Sequence, residues 1–372
     1  MKTRIITILT CLATLTNVQG QELITFQNEK LKYGFKDEND KTIIQPKYDY
    51  VSEFSENLAI VNIGGQVDDR DSFRGGKWGA IDKAGKEVIT LSKKYEYIND
   101  FHNGIATTLV QGKYGFIDKT GKEIVPCLYD YINDFSGDLT IITLNNKYGF
   151  IDKAGKIVIP CIYNKASSFS EGLAGVELKE KGGFIDKTGK VVVPFTYVGT
   201  NSFSEGLACV TIDAFHYGYI DKTGKTVIPF IYEFAHGFSE GLACVFIDHK
   251  CGYIDKTGKE IIRCKYARSF GFRNGYATYS LDENGFTVDK YGLIDSTGKE
   301  ITHCIYKNIG GFHNGLALVS VDNDRKMGFI DITGKEIIPL IYDDVKDFKN
   351  GKAKVKLGNR AFYIDTNGKE LK

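Results

Sequence analysis

The stretch YGFIDKTGKEIVP, Tyr114 to Pro126, decides the fold, because the chain keeps rewriting it. With the aspartate of its Ile-Asp pair as a marker, copies fall at Asp37, Asp82, Asp118, Asp152, Asp186, Asp221, Asp255, Asp295, Asp331 and Asp365. Successive markers stand 34 to 36 residues apart, except for gaps of 45 and 40 that hold insertions. A period of this length marks a repeat architecture, and 372 residues exceed what one ordinary hydrophobic core accommodates.

Three residues after each marker comes glycine, from Gly85 and Gly121 to Gly368, with Asp40 in the first copy. D-K-T-G-K therefore reads as a hairpin loop. The aspartate accepts a local hydrogen bond, and the glycine takes the left-handed conformation that lets the strands rejoin. Asp40 tolerates that conformation, so the first copy can turn as well. Y-G-F-I-D before the loop and K-E-I-V after it have strand composition, and L-A-x-V upstream (Leu173 to Val176, Leu207 to Val210) adds a third strand. Proline stands eight residues after the marker at Pro126, Pro160, Pro194, Pro229 and Pro339, and nine after at Pro46. Lacking an N–H, it is expected to end the third strand where it stands.

Two aromatic rows occupy the linkers. Tyr48, Tyr129, Tyr163, Tyr197, Tyr232, Tyr266, Tyr306 and Tyr342 share one column, and Phe54, Phe135, Phe169, Phe203, Phe238, Phe272, Phe312 and Phe348 another, with Tyr95 and Phe101 displaced by two. Recurrent rings are expected to plug seams between neighbouring units; a ligand-stacking ladder is the rival reading. Both faces of each meander are apolar, so one copy cannot bury itself and needs a neighbour on each side. The strand glycine is expected to leave room for a ring against bare backbone.

Lys77-Trp78-Gly79, Lys113-Tyr114-Gly115 and Lys147-Tyr148-Gly149, each followed by Ile-Asp and a glycine turn, together resemble the WG or KWG repeat of bacterial exported and surface proteins. The resemblance spans nearly all of the chain beyond residue 20. It departs where Tyr, Gly182, Cys251 or Met327 replaces tryptophan, and where Cys, Phe or Leu replaces the second proline. It implies a binding or structural scaffold without a shared catalytic site. The expected fold is all-β: a tandem array of about ten three-stranded antiparallel meanders forming an open β-superhelix or solenoid, with propeller-like closure as the alternative.

The first residues, MKTRIITILTCLATLTNVQG, place two cations before an apolar run from Ile5 to Leu15 and small residues before Gln21. This reads as a signal peptide over 1–20 ahead of a WG-type β-repeat array over 21–372. The expected location is secreted, periplasmic or cell-surface associated. The apolar run is shorter than the roughly 20 residues needed to cross a bilayer, so no integral membrane segment is expected. Lys and Arg number 48 against 47 Asp and Glu, a balance that gives no electrostatic case for nucleic acid.

Motifs with a chemical reading are weak. Gly237-Phe238-Ser239-Glu240-Gly241 matches the nucleophile elbow, yet it belongs to a linker column that also runs Phe169 to Gly172 and Phe203 to Gly206. Gly218 to Thr226 resembles a phosphate loop but has one residue too many between its glycines and no helix to follow. The acidic loops at Asp68–Asp71, Asp282–Gly285 and Asp322–Asp324 lack the alternating oxygens and distal glutamate of a calcium site. His102, His216, His236, His249, His303 and His313 show no metal-ligand spacing. Cys127, Cys161, Cys264 and Cys304 share a column with Phe and Leu, and Cys209 and Cys244 share one with Gly175, so mostly free, buried thiols are expected.

No catalytic residue, metal ligand or cofactor is nominated, and the ligand-binding residues stay open. The function expected is an exported, non-enzymatic repeat scaffold that binds a protein, peptide or glycan through variable loops, foremost the insertions Ile63 to Lys77 and Leu281 to Lys290. A glycan-processing enzyme and a purely structural spacer are the alternatives.

Overall fold

In the computed structural model, the residues described are 22–67, 73–135, 137–213, 215–281, 290–321, 326–349 and 351–371. Residues 1–20, and with them the expected signal peptide, lie outside this set. The described residues form ten small antiparallel sheets and no helix. Two compact units divide the chain, Met1–Cys161 and Ile162–Lys372.

The third sheet, in the first unit, shows how the sequence builds each copy. Lys113–Asp118 pairs without interruption with Ile105–Val110 (Lys113 opposite Val110, Ile117 opposite Ala106) and, on its other side, with Glu123–Tyr129. At the connecting turn, Asp118 Oδ1 accepts the N–H of Thr120 (2.8 Å), the N–H of Lys122 (3.0 Å) and the Thr120 hydroxyl (2.6 Å). Gly121 supplies the left-handed residue at φ 82°, and in the first copy Asp40 does so at φ 63°. The column D-K-T-G-K is thus one self-satisfying loop.

The meander has four strands, not three. Tyr97–Ile98, inside the stretch expected to be linker, pairs with Leu109 and Thr108 and adds an edge to the sheet. Every sheet but the first, which has three strands, gains such an edge. It was invisible to periodicity because two residues give no alternation to read. A four-stranded antiparallel meander is the blade of the propeller-like alternative rather than the three-stranded unit of the expected superhelix.

Proline does not end the third strand either. Pro126 sits inside Glu123–Tyr129, and Pro160, Pro194, Pro229 and Pro339 are likewise inside theirs. The register explains it: Phe116 faces Val125 and Tyr114 faces Tyr129, so three residues bulge opposite Gly115 alone. A residue in the bulge has no ladder bond to donate. The bulge also accounts for the glycine in the Y-G column. A β-carbon on Gly149 would stand 2.6 Å from the carbonyl oxygen of Ile159. Bare backbone therefore faces the bulged backbone, and only secondarily a ring as at Gly183, where Phe195 also closes in.

Both faces are covered, as the apolar pattern requires. Ile117 joins a core with Ile89 of the preceding sheet, while its neighbour Phe116 joins Ile142 and Ile151 of the following one. In the second unit, Phe184 and Val193 pack on Phe203, Ala208 and Ile220, and Tyr219 and Ile228 on Ala243, Val245 and Ile254. Each such side chain contributes about 1.5–3 kcal/mol when fully buried. The tyrosine column is buried throughout, and the phenylalanine column is buried or half-buried. Phe203 lies 4.8 Å from Phe184 and Phe238 4.9 Å from Tyr219, so these rings are seam plugs and not a ladder open to ligand.

The linker column F-S-E-G fastens the same seams. Ser55 Oγ donates to the carbonyl of Phe101 (2.6 Å), and Ser170, Ser204 and Ser239 do the same to Phe203, Phe238 and Phe272. Glu171 accepts the N–H of Gly206 and pairs with Lys222 at 2.9 Å; Glu56 treats Gly104 and Lys119 alike.

Candidate functional site

The two-residue strands hold the residues that stand out from this framework. Tyr50–Val51, Tyr97–Ile98 and Tyr131–Ile132 each open with tyrosine. Alternation sends Ile98 and Ile132 into the core and leaves the tyrosines outward, Tyr97 39% and Tyr131 52% exposed. Register then lines Tyr50 up with Asn62 and Trp78 across the second sheet, and Tyr97 with Leu109 and Tyr114 across the third.

Rings meet between sheets as well. Trp78 lies 5.4 Å from Tyr97 at 72°, and Tyr114 lies 5.8 Å from Tyr131 at 71°, both edge-to-face. Tyr50 also touches Trp78 at 5.4 Å. One aromatic row thus crosses three successive sheets of the first unit.

The insertion Ile63 to Lys77 builds its wall. It lengthens two strands to ten residues, Leu58–Val67 and Phe73–Asp82, and brings Phe73 within 5.4 Å of Tyr50 and 5.7 Å of Trp78. Asn62, fully buried, secures the base of the hairpin: Nδ2 donates to the Gly75 carbonyl (2.9 Å) and Oδ1 accepts the Gly65 N–H (3.0 Å). A cleft of about 610 Å³ results, lined by the rings of Tyr50, Phe73, Trp78, Tyr97 and Tyr114, by Leu109 and by the charged Arg74 and Glu96. Trp78 is completely buried, and its indole N–H has no acceptor among the described residues.

Two tyrosines of the cleft hold their protons more tightly than usual. Burial pushes the Tyr50 hydroxyl above its ordinary value, and Tyr97 and Asp100 push it further. Burial does the same to Tyr97, with Asp100, Asp134 and Tyr114 adding to it. Glu96 Oε1 accepts the Gly112 N–H at 3.2 Å.

In the second unit the same columns carry no rings at Lys165, Gly182 and Gly199, and a cavity of about 410 Å³ lies there. Its lining is mixed: Lys165 pairs with Glu177 at 2.7 Å beside Ser167, Thr200 and Thr211, with Val176, Val198 and Val210 among them. The rings return at Tyr217 and Phe234, 5.2 Å apart.

The other residues singled out in the sequence find plain roles. Ser239, central to the elbow-like string, spends its hydroxyl on the Phe272 carbonyl, and Gly218 to Thr226 is strand, turn and strand. His236 is half-buried with its protonation disfavoured by burial, and meets Phe234 edge-to-face at 5.0 Å. The seven cysteines among the described residues are free; Cys209, Cys244 and Cys251 are buried and the other four half-buried. The acidic loops at Asp68–Asp71, Asp282–Gly285 and Asp322–Asp324, and the insertion Leu281 to Lys290 apart from its ends, lie outside the described residues. Among the described residues no group of three or more His, Cys, Asp or Glu is placed to hold a metal, and no helix is long and apolar enough to cross a membrane. The aromatic row itself was missed. Its signal is a Tyr-x-Tyr string, Tyr48-Tyr50, Tyr95-Tyr97 and Tyr129-Tyr131, confined to the first three linkers.

Comparison with known proteins agrees with this architecture. The family model described as the WG containing repeat matches residues 33–66, 78–114, 114–148, 148–181, 183–214, 217–251, 252–284, 291–323 and 327–360. No curated protein is significantly similar in sequence. A crystal structure of a eukaryotic initiation factor is similar in fold at TM-score 0.50 and 11% identity, with 92% of this chain and 98% of that chain covered. BamB from Moraxella catarrhalis gives TM-score 0.37 at 11% identity over 70% of this chain and 94% of that one. Hsv2 from Kluyveromyces lactis gives 0.33 at 7% over 74% and 94%.

Proposed function

Because the chain belongs to the family built from the WG containing repeat, we propose that it is an exported, non-enzymatic scaffold that binds a protein, peptide or glycan in the aromatic cleft of its first unit. One observation carries the reading: rings from two successive sheets line one cleft, walled by the insertion Ile63 to Lys77, and Tyr131 of the next sheet continues the row from Tyr114. Seam packing does not require Tyr97 and Tyr131, since Ile98 and Ile132 already fill the core beneath them. Aromatic faces left outside a satisfied core are what interfaces use as anchors. The cationic, apolar start of the chain, Met1 to Gly20, supports export.

The test is an array of peptides and glycans probed with the intact protein and with a Tyr97→Ala/Tyr131→Ala variant. Binding that the variant loses by tenfold or more supports the scaffold. Covalent change of a bound ligand would instead indicate an enzyme, and an array without binders would leave a spacer.

A further inference from the structure

The cleft joins two features that select the same kind of ligand. Its walls are π-faces, Tyr50, Phe73, Tyr97 and Tyr114, whose quadrupoles attract cations. Its wall carries Glu96 and Arg74, and two more carboxylates, Asp100 and Asp134, stand close enough to act on Tyr97. Asp100 and Asp134 themselves line a smaller hollow beside Thr107, whose hydroxyl donates to Asp134 at 3.2 Å. Among the described residues Arg74 is the single basic side chain on the wall, and the nearby Lys113 pairs with Asp130.

From the aromatic walls and their acidic border we infer that the cleft takes a basic segment of a partner polypeptide, seating lysine or arginine side chains against the rings. This rests on the scaffold reading above and names the ligand class of the same site. A neutral sugar would gain the ring contacts but nothing from the charge of Glu96 or of the two aspartates beside the cleft. A cation gains both, and its alkyl stem covers the rings while its head reaches Glu96. At about 610 Å³ the cleft has the size of a site for a few side chains rather than a single ion.

Trp78 is the only tryptophan in the chain and contacts Tyr50, Phe73 and Tyr97 directly, so its fluorescence reports occupancy without a label. The full chain is titrated with a lysine hexapeptide, a glutamate hexapeptide and a neutral glucose hexasaccharide. The lysine peptide is expected to shift Trp78 emission saturably, the glutamate peptide to leave it unchanged, and added salt to weaken the effect. Glu96→Gln, which keeps an acceptor for Gly112, is expected to weaken lysine-peptide binding about two- to fivefold, and Arg74→Gln to tighten it by a similar factor. Opposite responses at these two positions are a signature of charge that a structural defect does not produce, and an unchanged unfolding midpoint confirms that both variants fold. If the hexasaccharide shifts the emission and the lysine peptide does not, the ligand class is wrong and the scaffold reading stands. If no probe shifts it and the array above also yields no binder, both fall.

Discussion

Gly328 lies beneath the bulged backbone of the neighbouring strand, where a β-carbon would stand 2.5 Å from the carbonyl oxygen of Ile338 and 2.8 Å from the N of Leu340. Neither atom can move without breaking the bulge. Gly311, in the same sheet, has nothing nearer than 4.0 Å to its would-be β-carbon. Gly328→Ala is therefore expected to cost about 1–3 kcal/mol, as overpacking does. Gly311→Ala should be neutral or slightly stabilising through the unfolded chain. Urea unfolding of the two variants checks this; equal effects would remove the bulge as the reason for the repeat's second letter.

The seam bonds make a second expectation. Ser204→Ala leaves the Phe238 carbonyl without its 2.7 Å donor at a part-buried site, at a cost of about 1 kcal/mol. Ser204→Thr keeps the hydroxyl and should recover most of that loss. Thermal unfolding of both variants reads the difference.

Acid should weaken the fold in a defined window. The Lys222 ammonium holds Glu171 below its ordinary value, and Lys119 does the same for Glu56. Thr hydroxyls first, then backbone N–H groups, lower Asp118, Asp186, Asp221, Asp255 and Asp331. A depressed folded value means the unfolded chain takes up protons first, so stability rises with pH in that range and is complete above the unfolded values of about 4. The unfolding temperature should be level from pH 8 to about pH 5 and decline progressively below. A maximum near pH 4 would contradict these assignments.

The buried thiols should be inert. Burial raises the Cys209 thiol to about 12 and that of Cys264 to about 11, and the hydrogen bond with Cys251, followed by burial, raises Cys244 strongly. At pH 8 only about one Cys209 in ten thousand is thiolate. Maleimide labelling of the folded protein should spare Cys209, Cys244 and Cys251 for hours and reach them at once in guanidinium, as mass spectrometry of the digested protein will show.

Mutual covering also predicts what an isolated copy does. In the seventh sheet, Ala243, Val245 and Ile254 pack on Tyr219 and Ile228, and Tyr253 and Ile262 on Ala277, Tyr279 and Ile294. A peptide of residues 232–267 loses both partners and should show no cooperative transition by circular dichroism. Cooperative unfolding of that peptide would falsify the dependence of each sheet on its neighbours.

How much of this could be read beforehand depends on which residues act alone. The Asp118-to-Gly121 turn was legible because its chemistry is local: one carboxylate, two N–H groups and one positive φ. The roles of Tyr129 and Phe203 as buried plugs were legible because apolar columns at a fixed offset have few other uses. Pro126 was misread because a missing donor normally ends pairing. Only the register, with three residues opposite Gly115, reveals that no donor was wanted there. Tyr97 was passed over for the opposite reason. A two-residue strand has no period, and the outward direction of its ring follows from pairing with Leu109, which no local pattern announces. The meaning of Ser55 and Glu56 likewise needs a partner about 46 residues away.

The prolines have one more consequence. Each four-stranded sheet has two open margins, and the margin formed by strands such as Ile157–Tyr163 is seven residues long and rich in isoleucine and valine, the kind of border that recruits a foreign strand and seeds fibres. Pro160 and its counterparts Pro126, Pro194, Pro229 and Pro339 interrupt that border at its middle, removing a hydrogen-bond donor and bending the strand out of line. In a chain that displays so many β margins in tandem, these prolines are expected to spoil the borders for any newcomer.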